Sequence, residues 1–160
     1  MNPNIETQTH PKGDVQLIID YLDGSQEIRE FNNSVLRKGR EALAASLANE
    51  IGNGFDFFIS RMLFGDGGTQ GGVPKFVDTA RNGLFGITRA AKPVIASFDP
   101  QINSQVVFTS VLSFEEANGF ALSEMALKMN NGDLYSMATF ADLNKTSQMQ
   151  ITWNWRLSFV

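Results

Sequence analysis

Near the C-terminal end, large apolar residues alternate with polar ones. Met149, Ile151, Trp153, Trp155, Leu157 and Phe159 occupy one parity, and Gln150, Thr152, Asn154, Arg156 and Ser158 occupy the other. Successive side chains of a strand point to opposite faces, so this pattern predicts one strand with a greasy side against a core and a wet side outward. At about 3.3 Å per residue the strand would run roughly 35 to 40 Å. That is long for an ordinary domain strand, and it predicts that part of the strand pairs beyond its own core, with a neighbouring copy.

Upstream, shorter runs repeat the strand signal. VQLIIDYL and SQEIREF flank Asp23-Gly24, a dipeptide suited to a tight turn, which predicts a hairpin over 14–31. Asn33 and Ser34 can cap a helix, and Leu36, Leu43, Ala44, Leu47, Ala48 and Ile51 recur at helical spacing, predicting an amphipathic helix over 34–50 that stops before Gly52 and Gly54. FDFFISRMLF is apolar on both parities, as for a strand covered on both sides, and leads into the loop GDGGTQGGVP. PVIASF, QVVFTSVLSF, FALSEMALKM and DLYSMATF follow, the last two joined by a predicted two-residue turn at Asn131-Gly132. Regular strands with turn signals suggest a sandwich or a barrel. Residues 1–13 hold almost nothing apolar beyond Ile5 and are expected to form a flexible arm that orders on a neighbour, leaving 14–160 as a single domain.

Composition narrows the function classes. The chain has 160 residues, 42% of them hydrophobic, enough to pack one core. Seventeen acidic residues against 13 basic ones give a net charge of -4, which argues against coating a nucleic-acid backbone. There is no Cys, so disulfides, thiolate nucleophiles and Cys-ligated zinc are excluded. No apolar stretch approaches the roughly 18 residues that span a bilayer. The expectation is a soluble chain made in the cytoplasm without an export signal, with no membrane partner.

Candidate chemistry is sparse. The only His, His10, sits in the polar arm, so neither a Ser-His-Asp arrangement nor a two-His metal site can form within one chain. Glu115 and Glu116 are adjacent and would point to opposite faces of a strand. Asp99, Glu124 and Asp142 are expected to be solvated loop or edge carboxylates. The glycine-rich run at 65–72 lacks the Lys-Ser/Thr pair of a phosphate loop. Asp66 and Asp78 lack the alternating acidic ligands of a calcium loop. Asp66, Gly67 and Gly68 are instead expected to dock on another subunit, and Arg37, Lys38 and Arg40 offer a basic patch for an acidic partner. Trp153 and Trp155 can serve either as core or, with Tyr135, as a stacking platform for a glycan. No cofactor or metal is expected.

The order of segments carries a further signal. FISRMLFGDGG, a glycine-rich loop, ARNGLFG, and then QVVFTSVLSFEEANGFALSEMALKMNNGDLYSMATFADLNKTSQMQITWNWRLSF resemble a structural family of tailed bacteriophages associated with tail fibres, collars and baseplates. The counterparts are residues 59–67, 108–127, 132–140 and 145–159, so the resemblance runs from Phe57 onward and leaves out the hairpin and the helix. It implies a non-enzymatic β-sandwich that assembles in many copies with other virion proteins. The fold expected is therefore mainly β, a jelly-roll-like antiparallel sandwich with one N-terminal amphipathic helix. Its expected role is a tail, neck or baseplate adaptor or fibre-attachment component, present as a homo-oligomer in the virion. Capsid decoration, a host-glycan-binding module and, last, a hydrolase are the alternatives.

Overall fold

A computed structural model describes residues 12–47 and 57–159. In chain order the elements are β1 (Lys12–Tyr21), β2 (Gln26–Asn32), β3 (Ser34–Val35), α1 (Arg37–Leu47), β4 (Ile59–Gly65), β5 (Thr69–Gln70), β6 (Val73–Pro74), β7 (Thr88–Pro93), β8 (Ile95–Asp99), β9 (Ile102–Leu112), β10 (Ala121–Met129), β11 (Leu134–Asn144) and β12 (Met149–Ser158). Among these residues no helix is long and apolar enough to cross a membrane.

Ten of the strands form two antiparallel sheets. One has the order β2-β1-β12-β9-β8 and the other β3-β11-β10-β4-β7, while β5 and β6 make a small separate hairpin. The alternation of β12 does what its pattern predicts: Ile151, Trp153, Trp155 and Leu157 are buried. Val15, Leu17 and Ile19 of β1 supply the same face next door, with Leu17 opposite Trp153. Across the interior, Trp153 meets Phe64 of β4 and Phe140 of β11 at ring centroid distances of 4.8 and 5.6 Å, and Phe31 of β2 stacks on Phe140 at 4.8 Å. These contacts bridge the sheets, so the molecule is a sandwich whose centre is aromatic.

The second sheet is covered on its outer side as well. In β10 every residue from Leu122 to Leu127 is buried, which a strand with one wet face cannot show. Leu36, Val77, Ala126, Leu134 and Met137 form a separate apolar cluster there, with Leu63, Leu84 and Phe85 packed on it. Helix α1 and the segment from β4 to β7 thus make a third layer.

Several expectations change. Ser34 pairs with Met137 instead of capping a helix, and the helix begins at Arg37, whose N–H donates to Thr79 O at 2.8 Å. Its buried residues are Gly39 and Ala42, while Ala44 and Leu47 are exposed. A Cβ at Gly39 would collide with the Tyr135 carbonyl, so close approach to β11 selects which helix face turns inward. Residues 48–50 of the expected helix lie outside the described residues. So do residues 1–11 of the expected arm, whereas Lys12 and Gly13 already belong to β1, opposite Ser158 and Leu157. The 14–31 hairpin forms, with Gly24 at φ 86°. Its turn and the turn at Asn131-Gly132 each leave four residues between the strands instead of two. The sequence pattern predicts no strand at β7, because TRAAKP is an edge segment without alternation. Finally, β12 is paired along its whole length by β1 and from Ile151 onward by β9. Among the described residues its length is thus used inside one chain, except on the β9 side of Met149 and Gln150.

Candidate functional site

The glycine-rich loop is where the sequence signals and the geometry converge. Strand β4 ends at Gly65, which lies opposite Glu124 of β10. A side chain at Gly65 would stand 2.7 Å from Glu124 Oε1, so the missing Cβ makes room for the carboxylate. The β10–β11 ladder shifts register between Leu122 and Glu124, the kind of irregularity that re-aims side chains. Glu124 then faces the loop layer and is fully buried. Its Oε1 accepts the N–H groups of Gly67 and Gly86 at 2.9 and 2.8 Å, and its Oε2 accepts that of Phe85 at 2.6 Å. Beside it, Ser123 Oγ accepts the Gly68 N–H at 2.9 Å.

These four backbone donors explain the glycines. A Cβ on Gly68 would enter the Ser123 carbonyl, and Gly67 and Gly86 lie backbone to backbone. Lys75 reinforces the turn, its Nζ donating to Gly67 O at 2.7 Å. Arg89 Nε donates to Asp66 Oδ2 at 2.6 Å while its guanidinium lies 4.3 Å from the centre of the Phe120 ring. Arg81 lies over Phe85 at 3.6 Å. The expectation of solvated carboxylates is therefore wrong for Glu124, whose two oxygens stitch the loop to β10; Asp142 is exposed and accepts from Thr69 Oγ1 at 2.7 Å.

A second lock holds the loop between β9 and β10. Lys145 is buried, and its Nζ donates to Asn118 Oδ1 and Thr146 O at 2.9 and 3.0 Å. Burial pulls its ammonium pKa down, and the nearby charge of Glu116 opposes that shift. Glu116 accepts from Lys92 Nζ at 2.5 Å and from the Ser113 N–H at 2.9 Å, which hold its carboxyl below the usual carboxylate range. Glu115 and Glu116 lie in this loop, not on a strand. The charged residues that organise the molecule are Glu124, expected to be solvated, and Lys145, for which the sequence predicts no role. The sequence signal for Glu124 is a charge inside the otherwise apolar run FALSEMAL, whereas Lys145 lies in the polar stretch DLNKTS, which carries no such signal.

The other candidates separate. Arg37, Lys38 and Arg40 are exposed, with Arg37 and Lys38 within 3.7 and 3.2 Å of Glu41. Asp66 is tied to Arg89, and Asp78 accepts the Ala80 N–H, so the two aspartates are engaged separately. No group of three or more metal-ligating side chains occurs among the described residues. Trp153 and Trp155 have no exposed surface and Tyr135 is 4% exposed, so none of the three rings offers a face to a sugar. Tyr135 does border an apolar cleft of about 350 Å³ together with Leu43, Phe57, Ala96, Phe98, Val106 and Phe159. Burial pushes its hydroxyl pKa up to about 12.

Comparison with known proteins gives a family match. The family model described as phage tail-collar fibre protein, N-terminal, matches residues 30–157, so the likeness extends upstream of Phe57 to include α1 and the end of β2. No curated protein and no solved structure matches. The segments that carry the resemblance are those that build the aromatic core, the docked loop and the Lys145 lock, and on that match the chain belongs to the phage tail-collar fibre N-terminal family.

Proposed function

We propose that this chain is a non-enzymatic fastening component of a tailed-phage tail, an adaptor or fibre-attachment piece at the tail, neck or baseplate that works in several copies alongside other virion proteins. The observation that carries the proposal is the family match over residues 30–157. The use made of the polar residues supports it. Glu124, Lys145, Glu116 and Asp66 are all engaged by partners within their own chain. The apolar cleft has no acid–base pair among its lining residues. The exposed start of α1, with Arg37, Lys38 and Arg40, provides the docking patch for an acidic neighbour. The docked Asp66, Gly67 and Gly68 support the hairpin that follows and the segment just after it, where Val73 and Phe76 stand 66% and 87% exposed. Synthesis in the host cytoplasm follows from this role, as does carriage in the virion.

The test is localisation. An antibody to the purified chain, applied to intact particles and viewed by electron microscopy, is expected to label the tail. Labelling of the capsid surface would replace this reading with capsid decoration. Turnover of host-surface polysaccharide by the purified chain would replace it with a hydrolase.

A further inference from the structure

The two sheets leave four edges, and three are guarded against pairing with another chain. Strand β2 carries Glu27, Arg29 and Glu30; β3 is two residues long; β7 carries Arg89, Lys92 and Pro93. Charge, shortness and proline are the usual means of blunting an edge. Strand β8, Ile95–Asp99, has none of these over its first four residues. Residues 95–98 are exposed, with Ile95 at 74% and Phe98 at 69%. An unguarded, apolar edge strand bare on both faces is a ready template for a further strand.

We propose that β8 pairs antiparallel with β8 of a second copy of this chain, about a two-fold axis through Ser97. The occupant follows from the pattern of the strand itself. Antiparallel pairing about Ser97 sets Ala96 opposite the partner copy's Phe98, and Phe98 opposite its Ala96, so each of the two large rings meets a small residue. Residues 95–98 carry no charge, so the approach of two copies meets no like-charge repulsion there. The same operation on β2, centred on Arg29, would set Arg29 against Arg29. Ala96 and Phe98 pair with Phe108 and Val106 and share the face of the sheet that borders the apolar cleft. The joint therefore also closes the open side of each cleft, which gives the contact an apolar centre. The two β2-β1-β12-β9-β8 sheets would run on as one ten-stranded sheet. The proposal rests on the multi-copy part of the function above and names the surface it uses.

The test uses the full chain. Because it contains no cysteine, Ser97→Cys introduces a single thiol on the axis. Opposed residues of antiparallel strands lie about 4.5 to 5.5 Å apart at Cα, within disulfide range. Sedimentation is expected to show a concentration-dependent dimer. Phe98→Lys, at an exposed position and checked for an unchanged circular dichroism spectrum, is expected to weaken that dimer about 30-fold, the effect of losing an interface anchor. Mild oxidation is expected to cross-link Ser97→Cys into dimers well beyond a Glu30→Cys control on the guarded edge. An assembly that survives Phe98→Lys, or that cross-links at residue 97 no better than the control, overturns the β8 pairing and leaves a multi-copy role standing. A chain that stays monomeric at every concentration overturns β8 self-pairing in the free chain, and particle labelling then decides the tail role separately.

Discussion

The outer faces of the two sheets are finished differently. On β12 the outward residues Thr152, Asn154 and Arg156 are half-buried or exposed, and the strand keeps its polar and apolar sides apart. On β10 there is no outward side: Ser123, Glu124 and Ala126 are as buried as Met125 and Leu127. One face is left to water, while the other is roofed by a loop whose backbone N–H groups need acceptors. A roof of glycines brings little apolar surface of its own, so it is anchored largely by polar groups, and those groups must sit in the strand beneath. A charge in the middle of an apolar strand thus marks the place where irregular backbone is laid over a sheet.

That contrast can be broken from either side. The largest effect is expected from Trp153→Ala, which empties the aromatic centre and should lower unfolding stability by about 3 to 5 kcal/mol in urea titration. A smaller loss would mean that Phe64 and Phe140 collapse into the space.

Glu124→Gln should follow, at about 1 to 3 kcal/mol, because the amide presents an N–H₂ where a backbone N–H now finds an acceptor. Its specific signature is faster hydrogen exchange at Gly67, Phe85 and Gly86, with β12 still protected. Equal deprotection of β12 would show that loop and sandwich open together.

Gly68→Ala should cost about 1 to 3 kcal/mol by overpacking against the Ser123 carbonyl.

The alkaline limb is next. Tyr135 keeps its proton to about pH 12 when folded and loses it near 10 when unfolded, so between those values the native state holds the extra proton and stability falls as pH rises. The expected slope is about 1 kcal/mol per pH unit. Tyr135→Phe should flatten it, and should do little harm at neutral pH because the hydroxyl has no hydrogen-bond partner among the described residues. Lys145 acts with the opposite sign: its native pKa lies below the unfolded one, so its contribution rises with pH until the unfolded lysine has also lost its proton.

The smallest effect belongs to Glu116. Its lowered pKa makes a contribution that is present above the unfolded carboxylate pKa and fades as pH falls through the folded one. With both partners of the Lys92 pair about one-third exposed, Lys92→Met should remove less than about 1 kcal/mol of that acid sensitivity.

How much was legible follows the same division. The β12 strand, the first hairpin and the strands β9 to β11 could be read because period-two alternation or an apolar run between turn residues is a local property. The helix over 34–50 was legible in kind but not in extent or face, since Ser34 and Val35 are claimed by β11 and Gly39 by contact with Tyr135. Strand β7 was hidden because an edge needs little hydrophobicity to be held by its neighbour. At the candidate site, the glycine pattern points to Asp66, Gly67 and Gly68 but not to the buried roles of Glu124 and Lys145, because a carboxylate or an ammonium carries no mark of its partners along the chain.

The β-rich class, the buried face of the last strand and the family to which the motif order belongs are all written in residue type and short-range order. That the glycine-rich loop is roofed onto its own sheet, that the long final strand is paired almost throughout within one chain, and that β8 is left bare emerge only on folding. Those outcomes depend on which backbone donors and acceptors, tens of residues apart, find one another.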